Sequence, residues 1–196
     1  MHRDGAANLH TMHRSLLLLV ACSLFLVGTA QDPGSNTAAI TYTRSIAIPL
    51  NGVMLFDKAS EAWTWTFGKE PGAKLLRSER AEGLIEATAR LNFRSEMLTG
   101  REESMGIVQY RVLMHVRAGE CRITISELTH TGNRTTARGG IHLGLLAKSD
   151  DPLRKASGMG GSNARRLYAE IKDVSQTRIT GLMQAFESRL KASVDP

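Results

Sequence analysis

The residues most suggestive of chemistry are basic side chains that recur at alternate positions along predicted strands. Each is out of phase with a row of apolar residues, so a strand would turn it to the opposite face of a sheet. A guanidinium group can bind a phosphate or carboxylate through two parallel hydrogen bonds. We therefore predict an anion-binding face, and its candidate residues, called the basic set below, are Arg90, Arg94, Arg111, His115, Arg117 and Arg122.

The basic set also has a simpler interpretation, which the sequence leaves open. Glu86 and Glu120 fall on the same predicted face, and mixed charges are typical of a sheet face that is in contact with water. Charges at such positions also discourage unwanted pairing between sheet edges. The basic set is therefore either an anion-binding surface or a solvated face.

Cysteine and histidine offer little further chemistry. Cys121 is the only cysteine after the first 30 residues, and it alternates with apolar strand residues, so we expect a core residue and not a nucleophile. The histidines of this region, His115, His130 and His142, lack the close spacing to other ligands that metal sites show. The sequence indicates no catalytic residue, no metal and no cofactor.

Two further features have competing interpretations. The run Gly158 to Asn163 precedes a predicted helix, as phosphate-binding loops do, but it lacks the Gly-Lys-Ser/Thr ending of a P-loop and follows no strand. We interpret it as a flexible loop with Asn163 as the helix cap. Trp63 and Phe67 have the spacing of core residues on a helix, whereas Trp65 lies off that stripe and is expected to be the more exposed tryptophan.

Residues 1–30 are predicted to be a removable secretion leader. Arg14 precedes an unbroken apolar run over 16–27, and the small residues at 28–30 suit a signal peptidase. A run of about 12 residues is too short to span a bilayer, which takes about 20. We therefore expect an exported protein, periplasmic or secreted. A lipoprotein anchored through Cys22 is the alternative, because Leu19 to Cys22 resembles a lipobox.

Length and composition indicate one folded domain after the leader. A chain of 196 residues that is 42% hydrophobic and 22% charged can bury one core but not two. We predict a polar linker over 31–38 and a single α+β domain over 39–196. Without residues 1–30 the net charge falls from +6 to about +5, a moderate excess that is compatible with anionic partners.

Hydrophobic periodicity predicts the order of elements in this domain. The expected elements are a strand from residue 39, a helix over 53–67, a short strand over 74–77, alternating strands over 85–93 and 108–116, a returning strand, a long Gly-rich loop over 130–162 and a C-terminal helix over 163–192. Ala118-Gly119 suits a two-residue hairpin turn. The cross-strand pairs that this turn predicts are Val116 with Cys121, Met114 with Ile123 and Val112 with Ile125.

This order of elements carries a family resemblance. The chain resembles a bacterial family of secreted domains of unknown function with a TATA-binding-protein-like (TBP-like) fold. The features that carry the resemblance are the leader, the segment Phe56-Asp57-Lys58-Ala59 leading to Trp63, and the hairpin from Tyr110 to Ile125. The resemblance covers about Ile46 to Leu128 and implies a curved antiparallel sheet of about five strands with two helices packed on one face. It brings no catalytic motif, and the fold name does not imply nucleic-acid binding.

The function that these features favour is an exported, non-enzymatic binding or interaction module of the bacterial envelope. Its expected partner is an anionic envelope polymer, or a protein, bound on the open sheet face. Two alternatives stay open: an enzyme with a dispersed site around His142 or Glu96, and a purely structural envelope protein.

The leader makes a direct prediction about the exported product. We expect the mature chain to begin near Gln31, because small residues at 28–30 close the apolar run. The intact mass of the protein recovered outside the cytoplasm measures this start. A mass that corresponds to a lipid-modified Cys22 would show instead that the protein is a membrane-anchored lipoprotein.

Overall fold

The computed structural model describes residues 37–98, 102–136 and 139–193, so the predicted leader and most of the predicted linker lie outside the described residues. The elements in chain order are β1 (Tyr42–Ala47), α1 (Gly52–Trp65), a 3₁₀ turn (Phe67–Lys69), β2 (Lys74–Glu79), β3 (Leu84–Phe93), a second 3₁₀ turn (Glu102–Ser104), β4 (Gly106–Arg117), β5 (Glu120–Gly132), β6 (Gly144–Leu145) and α2 (Gly161–Ala192).

All the strands belong to one antiparallel sheet. The order across the sheet is β1-β5-β4-β3-β2, and the two-residue strand β6 pairs with the second half of β5. The sheet of about five strands and the two helices of the predicted α+β architecture are therefore confirmed. Register shifts in the β2–β3 and β4–β5 pairings mark irregularities that increase the local twist of the sheet.

The hairpin between β4 and β5 is the longest pairing in the sheet and forms in the predicted register. Its turn is Ala118-Gly119, and Gly119 has a φ of 82°, a conformation that glycine adopts at little cost. The three predicted cross-strand pairs are all present: Val116 with Cys121, Met114 with Ile123 and Val112 with Ile125.

Strict alternation along β3 and β4 separates a buried face from an outer face. The odd-numbered residues from Ile85 to Phe93 are buried, as are the even-numbered residues from Val108 to Val116. These side chains form one core with residues of both helices, since burial of apolar surface is the main force that holds the two layers together. The other face of the sheet, which we call the open face, carries the polar residues.

Helix α1 follows the predicted pattern closely. Asn51 caps it, because its side-chain oxygen accepts a hydrogen bond from the backbone N–H of Met54. Phe56, Ala59 and Trp63 are buried, as their spacing predicts. Phe67 is also buried, but it lies in the 3₁₀ turn that follows the helix, and its ring stacks on Trp63 with centroids 5.8 Å apart.

Helix α2 corrects the predicted C-terminal helix at two points. It begins at Gly161 and not at residue 163, so Asn163 is not its cap, and Gly160 occupies the cap position with no side-chain hydrogen bond. The apolar spacing of Leu167, Ile171 and Val174 predicts that Val174 is buried, but Val174 is 38% exposed. Ser175 lies in the buried stripe, because the helix phase turns position 175 toward the core. Among the described residues no helix is both long and apolar enough to cross a membrane.

The predicted loop over 130–162 is shorter and more ordered at both ends than expected. Strand β5 extends through Gly132, and the helix begins before residue 162. Within the connection, Ile141, Leu143 and Leu146 are buried, and β6 pairs with β5. A Cβ atom on Gly132 would lie 2.5 Å from the carbonyl oxygen of Ile141, so the missing side chain lets this segment approach the end of β5.

Polar contacts fix α2 against the sheet layer. The buried carboxylate of Glu70, in the turn before β2, accepts hydrogen bonds from Arg178 of α2 at 2.5 and 3.3 Å. The Tyr168 hydroxyl accepts a hydrogen bond of 2.6 Å from the backbone N–H of Ala147. These contacts fix the rotation of α2 about its own axis, because turning it would leave buried polar groups without partners and lower the stability of the fold.

The hairpin makes a testable prediction for Cys121, which is buried opposite Val116. Burial raises the pKa of the Cys121 thiol to about 12, so the thiolate that would react is scarce across the neutral range. We expect a thiol reagent to modify the folded mature protein far more slowly than the unfolded protein, even when the pH rises from about 7 to about 9. Equal rates in the two states would show that the β4–β5 register is wrong.

Candidate functional site

The basic set lies on or beside the open face of the sheet. Arg90 belongs to β3, while Arg111, His115 and Arg117 belong to β4, and all four occupy outward positions of the alternation. Arg122 occupies an outward position of β5, directly opposite His115. Arg94 is exposed and follows the last residue of β3. The structure nevertheless separates these residues into three groups with different surroundings.

Three residues of the basic set converge at the hairpin end of the sheet. His115, Arg117 and Arg122 line a cavity of about 240 Å³ that faces solvent. We call this cavity the hairpin site, and its complete lining is Glu82, His115, Val116, Arg117, Glu120 and Arg122. The convergence follows from the two-residue turn, which brings the last outward residues of β4 beside the first outward residues of β5.

The two guanidinium groups of the hairpin site share one carboxylate. Arg117 Nε donates to Glu120 Oε2 at 2.7 Å, and a terminal nitrogen of Arg122 lies 3.4 Å from Glu120 Oε1. Hydrogen bonds from Ser45, then from Arg117, hold the pKa of Glu120 below its usual value, so this carboxylate is ionised. Around Glu120 two cations therefore face one carboxylate, while the other acidic side chain of the lining, Glu82, pairs with Arg77.

Ser45 of β1 completes this arrangement from the neighbouring strand. Arg122 Nε donates to the Ser45 hydroxyl at 3.2 Å, and the two residues are direct cross-strand partners. Arg117 is 75% exposed and Arg122 is 52% exposed, measured on their side chains. Both guanidinium groups are therefore oriented by contacts at one edge and remain open to a ligand at the other.

Arg111 forms a second group, and its charge is neutralised. Its guanidinium lies between Glu86, at 2.8 Å, and Glu127, at 3.0 Å. These carboxylates, Glu127 first, raise the pKa of Arg111 above its usual value. Glu127 has a φ of 57°, which is unusual outside glycine, at the irregular stretch of β5. We interpret Arg111 as a structural bridge between strands and not as a free binding group.

Arg90 and Arg94 form the third group and do not line the hairpin site. The side chain of Arg90 lies against the backbone of Gly72, where an added Cβ atom would come within 3.1 Å of its Nε. Neither arginine has a carboxylate partner among the residues that the structure describes. They contribute to the charge of the molecule but lie away from the cavity.

Sequence reasoning identified the cations of the hairpin site but not its other polar residues. Alternation along β4 and β5 was sufficient for His115, Arg117 and Arg122. Ser45 was missed because no local pattern indicates that β1 pairs with β5. Glu82 lies outside the alternating strands, so no pattern places it on the open face, yet it lines the cavity and lies 3.3 Å from Arg77, a residue on the outward side of β2.

The remaining candidates have surroundings that fit structural roles. His130 is buried with its ring edge-on to Phe93, and burial lowers its pKa to about 4, so it is neutral at neutral pH. His142 Nδ1 accepts a hydrogen bond from the backbone N–H of Gly132 at 3.2 Å. In residues 37–98, 102–136 and 139–193 no cluster of three or more His, Cys, Asp or Glu side chains could hold a metal ion.

Comparison with known proteins establishes the fold. No protein-family model and no curated protein matches the chain. A DUF4468 family protein from Bacteroides ovatus is 16% identical over 79% of this chain and 89% of its own length, with a TM-score of 0.45. A TBP-like protein from Parabacteroides distasonis is 10% identical over 79% of this chain and 96% of its own length, with a TM-score of 0.50. The second likeness confirms the fold that the family resemblance implied: this chain has a TBP-like α+β fold.

Proposed function

We propose that the mature protein is a non-enzymatic binding module of the bacterial envelope that recognises anionic groups at the hairpin site. One observation carries the proposal: Arg117 and Arg122 share a single carboxylate, Glu120, at the rim of a solvent-facing cavity. An anion in this cavity would compensate the second positive charge. Charge-assisted hydrogen bonds of this type are stronger than those between neutral groups.

The hydrogen-bonding capacity of the two arginines supports this proposal. Each guanidinium group has five N–H donors, and the contacts to Glu120 and Ser45 engage Nε and one terminal nitrogen of each. The other terminal nitrogens remain available to a phosphate or carboxylate. His115 lines the same cavity and can add a hydrogen bond from its ring.

Glu82 is a negative group in the same cavity, and its effect has to be considered. Its carboxylate lies 3.3 Å from a terminal nitrogen of Arg77, a cation that it shares with Glu79, and among the described residues it forms no ion pair with Arg117 or Arg122. Glu120 is therefore the acidic group that competes directly with a ligand for Arg117 and Arg122. A ligand must therefore compete with Glu120 for the two guanidinium groups and tolerate the carboxylate of Glu82 in the same cavity.

The predicted leader suggests where such a ligand would be found. An exported protein meets polymers of the envelope that carry phosphate or carboxylate groups, and a basic surface raises its rate of encounter with them. The side chains of Arg117 and Arg122 in the hairpin site are more than half exposed. Binding through exposed charges should therefore weaken as salt concentration rises.

The test compares a double variant with a matched control. We expect Arg117→Ser/Arg122→Ser to bind polyphosphate and polyglutamate about tenfold or more weakly than the parent protein at low salt, because two charge-assisted contacts are lost. Arg165→Ser is the control, since Arg165 is an exposed arginine of α2 that also has one carboxylate partner, Asp151. Titration calorimetry at low and moderate salt measures the affinities.

A second variant gives an effect of opposite sign. Glu120→Gln removes the carboxylate that Arg117 and Arg122 share, so we expect it to tighten polyanion binding. Thermal unfolding of each variant checks that the fold is retained. The proposal is rejected if the double variant binds as the parent does, if binding ignores salt, or if Glu120→Gln weakens binding while remaining folded.

A further inference from the structure

We propose that the edge strand β2 is a self-association surface, through which two copies of the protein join their sheets. The sheet ends at β1 on one side and at β2 on the other, and among the described strands β2 pairs with β3 alone. An edge strand carries unpaired N–H and C=O groups along its free side, which can pair with another strand. None of the residues Lys74–Glu79 lines the hairpin site, so this proposal does not depend on the proposed function.

The apolar side chains of β2 are the first observation that carries the inference. Leu75 is 47% exposed and Leu76 is 49% exposed, and they stand next to each other in the middle of the strand. Leaving this much leucine surface in water is unfavourable, and a second strand laid along β2 would cover part of it. The inner side of β2 carries Leu75 and Ser78, so it has neither the proline nor the inward-pointing charge that protects many edge strands from pairing.

The charges of β2, which have opposite signs at its two ends, are the second observation. Lys74 begins the strand, and within the described part of the chain it forms no ion pair. At the other end one cation, Arg77, meets two carboxylates, those of Glu79 and Glu82. The first end is therefore positive and the second end is negative. Two antiparallel copies of such a strand place the positive end of each beside the negative end of the other.

The extra residue in β2 brings these charges to one face of the sheet. Positions 74 and 79 have opposite parity, so in a regular strand their side chains would point to opposite faces. The register shift at Leu76 changes this, because Lys74 lies opposite Thr88. Glu79 lies opposite Leu84, and both partners are even-numbered outward positions of β3. Antiparallel pairing centred just after Leu76 therefore sets Lys74 of one copy against Glu79 of the other, at two positions related by a two-fold axis.

This pairing is favoured over the other ways of joining two sheets. A shift of one residue would set inner side chains of one copy against outer side chains of the other, whereas facing residues of a strand pair share a face. Strand β1, at the other edge, carries Arg44 as its one charged residue, and Arg44 already meets Glu187 of α2 at 2.9 Å. Strand β1 therefore offers a second copy no pair of opposite charges, whereas β2 offers two.

Sedimentation equilibrium of the mature protein tests this inference. We expect the parent protein to show an equilibrium between monomer and dimer. Lys74→Glu and Glu79→Lys should each weaken the dimer at least about tenfold, because each variant sets like charges opposite one another at two positions. An equimolar mixture of the two variants should recover the dimer, since each variant supplies the charge that the other lacks at both pairs. Recovery in the mixture is specific to this register of β2 against β2.

Controls separate this surface from the rest of the molecule. Lys155→Glu, at an exposed lysine outside β2, should dimerise as the parent does. So should Arg117→Ser/Arg122→Ser, whatever its effect on polyphosphate. Leu76→Lys should weaken the dimer without lowering the unfolding temperature of the monomer, because Leu76 is half exposed there.

The outcomes that overturn the inference concern the dimer alone. They are a parent protein that stays monomeric up to about 1 mM, which corresponds to only about 4 kcal/mol of association free energy, a folded Lys74→Glu or Leu76→Lys variant that dimerises as the parent does, and a mixture of the two folded charge variants that stays monomeric. Thermal unfolding identifies any variant that has lost its fold. If Glu79→Lys is such a variant, Lys74→Glu and Leu76→Lys decide the case.

Discussion

The register of the β4–β5 hairpin is the constraint on which the rest of the structure depends. Because successive side chains of a strand point to opposite faces, a slip of one residue would exchange the whole apolar row with the whole polar row. The turn at Ala118-Gly119 prevents that slip by fixing Val116 opposite Cys121. Both helices therefore pack on a continuous apolar surface. Strands β1 and β3 pair with the two outer edges of the hairpin, so that their apolar residues lie on the same face as those of β4 and β5.

The same register determines the electrostatics of the open face. Two cations of this face each meet two carboxylates: Arg77 meets Glu79 and Glu82, and Arg111 meets Glu86 and Glu127. Arg90 has no carboxylate partner among the described residues. At the hairpin end, two guanidinium groups, those of Arg117 and Arg122, contact the one carboxylate of Glu120 beside a cavity. The positive charge of the sequence is thus distributed unevenly over the open face, and the hairpin site is where we propose that an anion binds.

Local patterns were sufficient to predict the features that local interactions determine. Alternation gave the buried rows of β3 and β4, the two-residue turn gave the hairpin register, and helical spacing gave the buried face of α1. Other contacts were beyond this reasoning. Ser45 pairs with Arg122, which is far away in sequence, and Ile141 packs against the end of β5 within a connection that has no regular pattern. Helix α2 begins before Asn163 because tertiary packing can start a helix without a side-chain cap.

The candidate site was predictable in its residue types but not in its boundaries. The alternation of apolar and polar residues placed six basic residues on one face. It could not show that Glu127, at a positive φ, pairs with Arg111, or that Arg90 lies against Gly72. Each of these depends on the path of a neighbouring strand or turn. Counting basic residues along a sequence therefore overestimates the number of cations free to bind an anion wherever carboxylates on adjacent strands pair with them.

The central claim is that an anion binds directly to the two guanidinium groups that share Glu120. An NMR titration of the mature protein with polyphosphate, followed through the arginine Nε–Hε resonances, tests it most directly. We expect progressive, saturable shifts for Arg117 and Arg122 and an unchanged resonance for Arg165. Saturable binding that leaves Arg117 and Arg122 unshifted would contradict it.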